Sequence, residues 1–221
     1  MRSLWTVRWF RAVSPDIELL LPCCCLAISY NQHISPSFVS TAVIPPALQS
    51  LFDYLDSCQE PVDLARLEAL LKTIKVTRQD LADYVQFNEG TYRRNRVKLG
   101  SWYECLVLCW KPDQKSYIHD HQGSSCCFKV IEGTAKEIIC AQTGRTTDMP
   151  LVRPIDTRTL PQGTVCGSLA AHIHEVINPN DASDLITLHI YSPPLNMRIY
   201  AYDDEAQESF CPQGRVLEYS I

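Results

Sequence analysis

The stretch Ser116–Gly133, SYIHDHQGSSCCFKVIEG, decides how this chain is read. Two histidines, His119 and His121, stand one residue apart. In an extended strand, residues i and i+2 project to the same side. The pair therefore presents two imidazoles to one face, with Asp120 turned away, and forms half of a metal site on a rigid element. Five residues after His121, where a carboxylate would be expected beside the two imidazoles, stands Cys126. A ligand set of neutral imidazoles alone leaves a divalent metal with its full charge, whereas a set that includes a carboxylate cancels part of it. A site without an acid therefore suits a ligand that brings its own negative charge, such as a thiolate. On this stretch alone, a pair of histidines that binds no metal remains the alternative.

Around this stretch the sequence reads as strands. YECLVLCW, CCFKVIEG, AKEIICAQ, HIHEVIN, LITLHIYS and RIYAY are short, rich in β-branched or aromatic residues, and punctuated by Gly, Pro, Asp and Asn. Their spacing predicts a mainly β protein, a barrel or sandwich. Before them, Leu48, Leu51, Phe52 and Leu55 recur at helical spacing, as do Leu64, Leu67, Leu70, Leu71 and Ile74. A third helix is expected after the capping-box pair Thr77 and Asp80, with Leu81, Tyr84 and Val85 on its apolar side. These helices, within residues 46–90, are expected to pack against the β domain.

Bulk properties narrow the function. The formal charge is −5 and the pI about 5.7, which disfavours a nucleic acid or an anionic membrane as partner. The 11 cysteines include no CxxC pair and are odd in number, so no disulfide framework or zinc ribbon is read and a reducing, cytoplasmic location is expected. Residues 1–45 differ from the rest. Arg2, Arg8 and Arg11 precede any acid, and an apolar run, Leu19–Ser29, is too short to span a bilayer. Asp16 and Glu18 break a signal-peptide pattern, and Pro22 before Cys23 fits a lipoprotein box poorly. This segment is expected to be a disordered leader or the product of a start codon placed too early, with one domain over 46–221.

The spacing HxH, four residues, Cys126, six residues, Gly133 resembles the first motif of the cupin barrels, with cysteine at the acid position. His174 and Asn178 in HEVIN resemble the end of the second motif, and Pro161–Gly163 its turn. His172 lies on the same face as His174 and competes with it as a ligand; the His-to-Asn spacing favours His174. Beyond these motifs, YRRN (Tyr92–Asn95), LCW (Leu108–Trp110), IHDH (Ile118–His121) and LHIYSPP (Leu188–Pro194) resemble, as a set, the cysteine dioxygenases, non-haem iron cupins. The resemblance runs from about Ala47 to Pro194.

That resemblance implies a small β-barrel with N-terminal helices outside it. It also implies Fe(II), a monomer, and oxidation of L-cysteine by O2 to cysteine sulfinic acid in cysteine catabolism. His119, His121 and His174 match the iron ligands. Cys126 and Tyr191 match the pair that animal enzymes join by a thioether, and His189 the histidine that hydrogen-bonds the tyrosine. Tyr92 and Arg94 match residues that receive the substrate, and Trp110 walls the pocket. Cys127 is expected to face the other way and pack. The segment from YRRN to Cys109 is one residue shorter than in the animal enzymes, which leaves Arg93 as a second candidate. Arg198 stands where those enzymes carry a smaller residue. Two other functions compete: a dioxygenase for another small thiol such as 3-mercaptopropionate, whose relatives carry Gln at the Arg94 position, and a non-catalytic metal-binding cupin acting as a sensor.

Overall fold

The structure is a computed structural model that describes residues 44–147, 149–179 and 183–207. The leader expected over 1–45 lies outside the described residues except for Ile44 and Pro45. Ile44 is half-buried against the first core cluster.

Two helices form where the apolar spacing predicts them, α1 over Gln49–Ser57 and α2 over Leu64–Thr73. Asp63 caps α2 by accepting a hydrogen bond from the Arg66 amide at 2.7 Å. The third helix does not form. Thr77 and Asp80 make the reciprocal capping contacts, the Thr77 amide donating to Asp80 at 2.8 Å and the Asp80 amide to Thr77 Oγ1 at 3.3 Å. Only a turn and a short 3-10 segment, Ala82–Tyr84, follow. Val85 leaves the helical region at once (φ −84°, ψ 89°), and burying Leu81 and Tyr84 needs no further turn of helix.

The remainder is strand: β1 Arg93–Leu99, β2 Glu104–Trp110, β3 His119–Asp120, β4 Ser125–Glu132, β5 Thr134–Arg145, β6 Pro150–Pro161, β7 Val165–Ser168, β8 Ile173–Ile177, β9 Leu185–Ser192, β10 Arg198–Ile199 and β11 Ala201–Tyr202. A short α3, Asp204–Gln207, follows. One sheet runs β1-β2-β9-β4-β7 and the other β10-β3-β8-β5-β6-β11.

Strands β2 and β9 are buried at every position, which explains why they read as continuous apolar runs rather than alternating ones. One face of their sheet carries Cys105, Val107, Cys109, Cys127, Ile131, Leu188 and Ile190, packed with Leu51, Phe52, Leu55, Leu67 and Leu71 of the helices. The opposite face carries Leu106, Leu108, Trp110, Cys126, Phe128, Val130 and Tyr191, packed with Ala135, Leu160 and Val176 of the second sheet. The helices therefore cover the outside, and the space between the sheets is the interior. Lys129 ties the layers together. Its buried ammonium donates to Leu71 O at 2.9 Å and Ile74 O at 2.5 Å, satisfying the carbonyls at the end of α2. Gly133 turns β4 into β5 at φ +83°, where a side chain would also meet Asp184 O at 2.8 Å.

Candidate active site

Strand β3 delivers His119 to the interior, opposite His174 of β8 in direct register. His121 lies just beyond the end of β3 and is fully buried. The chain then turns through Gln122 (φ 38°) and Gly123 (φ 95°) before β4 begins. This left-handed turn lets Cys126 face inward despite its odd spacing from His121. Asp120 points away from the histidines and anchors the turn, accepting from the Tyr200 hydroxyl at 2.6 Å and the Gln122 amide at 3.1 Å.

The donor nitrogens of His119, His121 and His174 lie within 4.8 Å of one another. His119 Nδ1 is 2.8 Å from Tyr117 O, and His174 Nδ1 is 2.7 Å from the Glu137 carboxylate. Each contact fixes that ring's N–H on Nδ1 and leaves Nε2 with a free lone pair. His174 Nε2 lies 3.2 Å from His121 Nε2, and His121 Nδ1 is buried without a partner. Burial, reinforced by the field of neighbouring His174, holds His119 at about 3 and His121 at about 2, so both are neutral at pH 7. Deprotonated nitrogens converging in a buried space are the donor set a divalent metal takes. The three residues therefore fit a resident metal ion. His172 sits outside this trio. It is half-buried, 3.1 Å from Ser168 Oγ through Nδ1, and groups with Glu137 and His174 instead.

Beside the histidines lies a pocket lined by Tyr92, Arg94, Leu108, Trp110, Ser116, His119, Cys126, His174, Val176, His189 and Tyr191. The β1–β2 register separates the two arginines. Arg94 opposes Leu108, an interior residue, whereas Arg93 opposes Cys109 of the outer cluster and is exposed. The Arg94 guanidinium lies 5.9 Å from the centre of the Tyr191 ring. Among the described residues it forms no ion pair with a carboxylate. Tyr92 stacks on Trp110 with ring centres 4.1 Å apart. Arg198 is exposed on β10 opposite Asp120 and does not line the pocket.

Cys126 and Tyr191 are direct cross-strand partners on β4 and β9. Such partners are the closest side-chain neighbours a sheet offers. His189 Nδ1 is 3.2 Å from the Tyr191 hydroxyl and 3.8 Å from Cys126 Sγ. Burial first, then the field of Cys126, raises the Tyr191 hydroxyl well above its usual value, and burial raises the Cys126 thiol likewise. Both keep their protons at neutral pH. Cys127 faces the outer cluster and packs.

Two residues that brace the site are not read from the sequence. Thr187 links His189 Nε2, at 2.9 Å, to the Trp110 indole, which donates to Thr187 Oγ1 at 3.0 Å. Its place on β9, two residues before His189, puts it on the same face and could have indicated it. Glu137 on β5 is the other.

A barrel of two sheets, antiparallel except for the β6–β11 pair and closed around a buried three-histidine centre, defines a metal-site cupin. The chain matches the family Cysteine dioxygenase type I over residues 34–205, and it belongs to that family. It is similar to cysteine dioxygenase type 1 of Rattus norvegicus, 27% identical over 147 residues, covering 65% of this chain and 72% of that protein. The same enzyme of Danio rerio is 26% identical over 155 residues, covering 68% and 76%. Among solved structures, an uncharacterised double-stranded β-helix protein of Klebsiella pneumoniae is 17% identical, with a TM-score of 0.44 over 54% of this chain and 88% of that one.

Proposed function

We propose that this chain is a non-haem Fe(II) thiol dioxygenase that converts L-cysteine and O2 to cysteine sulfinic acid. One observation carries the reading: a buried three-histidine donor set shares its pocket with an arginine that has no carboxylate partner among the described residues. A small thiol bearing a carboxylate supplies what both lack.

His119, His121 and His174 would hold the ion, and Fe(II) bound there would supply the redox chemistry that lets thiolate and O2 react. The chain's own residues set the geometry. Arg94 receives the substrate carboxylate through its planar fork, which suits bidentate pairing. Leu108, Trp110 and Val176 form apolar walls that exclude water. The protonated Tyr191 hydroxyl, held by His189, offers a hydrogen bond beside the reacting sulfur. Thr187 and Trp110 in turn hold His189. The electrons balance without a second cofactor: sulfur loses four, and the two oxygen atoms gain four as both become bonded to it.

The seven cysteines among the described residues are all free thiols, which supports a reducing compartment and, with it, the cytoplasm. No helix among the described residues is long and apolar enough to cross a membrane.

A thiol panel tests the substrate. Iron-loaded protein should consume O2 with cysteine far faster than with cysteamine, which lacks the carboxylate. A clear preference for 3-mercaptopropionate would move the assignment to that thiol. No O2 uptake with any thiol would favour a non-catalytic metal-binding role.

A further inference from the structure

Glu137 is fully buried, yet it does not line the pocket and takes no part in the proposed chemistry. On β5 it stands two residues before Ile139, the register partner of His174, so it shares the face of His174 and reaches it diagonally. Its Oε1 lies 2.7 Å from His174 Nδ1. Its other oxygen receives Cys166 Sγ at 3.8 Å and lies 3.9 Å from the half-exposed Arg158 guanidinium. A buried carboxylate is costly, and an apolar residue would pack the same space at less cost. The rings of the three histidines are held differently. His119 faces a neutral carbonyl, His121 Nδ1 has no partner, and only His174 meets a charge.

We propose that Glu137 is the positioning residue of the metal centre. It locks His174 in the tautomer that aims Nε2 at the ion, and it supplies from behind that ring the negative charge that no ligand supplies. The carboxylate missing at the Cys126 position is thus present one imidazole further out. This rests on the reading of His174 as a ligand. Through the ring, the charge makes Nε2 a stronger donor and favours the ion's higher oxidation state.

The test is metal affinity, measured anaerobically on the full chain by chelator competition with Co(II) and Fe(II), and the Fe(III)/Fe(II) midpoint potential. Glu137→Gln keeps an acceptor and removes the charge; Glu137→Ala removes both. Loss of such a partner weakens metal binding about 10- to 100-fold. Glu137→Gln is expected at the lower end with a more positive potential, and Glu137→Ala at the upper end. Thermal unfolding of metal-free Glu137→Gln should be no lower than wild type, which separates the effect from misfolding. Should Glu137→Ala fail to fold, Glu137→Gln decides alone. Wild-type affinity and potential in Glu137→Gln would overturn the proposal. His174→Ala distinguishes the two levels: if it binds metal as wild type, the ligand assignment itself fails, and if it alone loses metal, only the role of Glu137 does.

Discussion

Acidifying the metal-free protein from pH 7.5 to 5.5 should cost it a large share of its stability. The cause is the burial of His119, His121 and His189, each shifted down from the usual imidazole value, the first two to about 3 and about 2. The unfolded chain takes up protons on these rings near pH 6.5, while the folded one does not. Below that pH the unfolded state binds more protons, so stability is complete above about 6.5 and falls as pH drops toward the folded values. At pH 5.5, one unit below, His119 and His121 each contribute about 1.4 kcal/mol of loss, together about 3 kcal/mol, and His189 adds in the same direction. Domains have only about 5–15 kcal/mol to lose. The carboxylates held low, such as Asp56 and Asp80, lose their contribution only below about pH 4 and do not confuse this window. With a urea slope of about 2 kcal/mol per molar, the unfolding midpoint should drop by roughly 1.5 M or more. His119→Gln should remove about 1.4 kcal/mol of that pH dependence. A midpoint that stays constant from pH 7.5 to 5.5 would refute the reasoning.

Other predictions follow from the pocket. Replacing His119, His121 or His174 by Ala should strip most bound metal, measured by elemental analysis, whereas His172→Ala should retain it. Arg94→Ala removes one partner of a buried charge pair, a loss of roughly 2–5 kcal/mol, or about 30- to 5,000-fold in kcat/KM for cysteine. Cysteamine should lose far less, and the exposed Arg93→Ala should change little. Iron, cysteine and O2 together should join Cys126 to Tyr191 by a thioether, with the S–H and a ring C–H replaced by an S–C bond and O2 taking the two electrons. A faster band on a reducing, denaturing gel reports the link, and Cys126→Ser or Tyr191→Phe should each abolish it; peptide mapping that finds Cys126 always free after turnover would count against it.

The parts legible in the sequence are those where a strand is buried on both faces or a motif has fixed spacing. LITLHIYS is the strand Leu185–Ser192 to the residue, and YECLVLCW holds Glu104–Trp110. The charged strand RRNRVKL at the sheet edge carries no alternation to betray it. Pro150–Pro161 hides behind three prolines and a solvated face. The third helix was predicted from a true local motif, but Thr77 and Asp80 cap a turn as readily as a helix. Glu137 was invisible for a different reason. Within AKEIICAQ it reads as a solvent-facing charge, and only the β5–β8 register shows that it is buried behind His174. Register, through Cys109 and Leu108, likewise places Arg94 on the interior face of the sheet and Arg93 on the outer one.

The most direct test of the central claim follows the oxygen atoms. Iron-loaded protein should be given L-cysteine under 18O2 and the product weighed by mass spectrometry. The account predicts cysteine sulfinic acid carrying both labelled atoms, with one O2 consumed per cysteine. Cystine as the product, or a sulfinate with fewer than two labelled oxygens in fresh reaction mixtures, would contradict it.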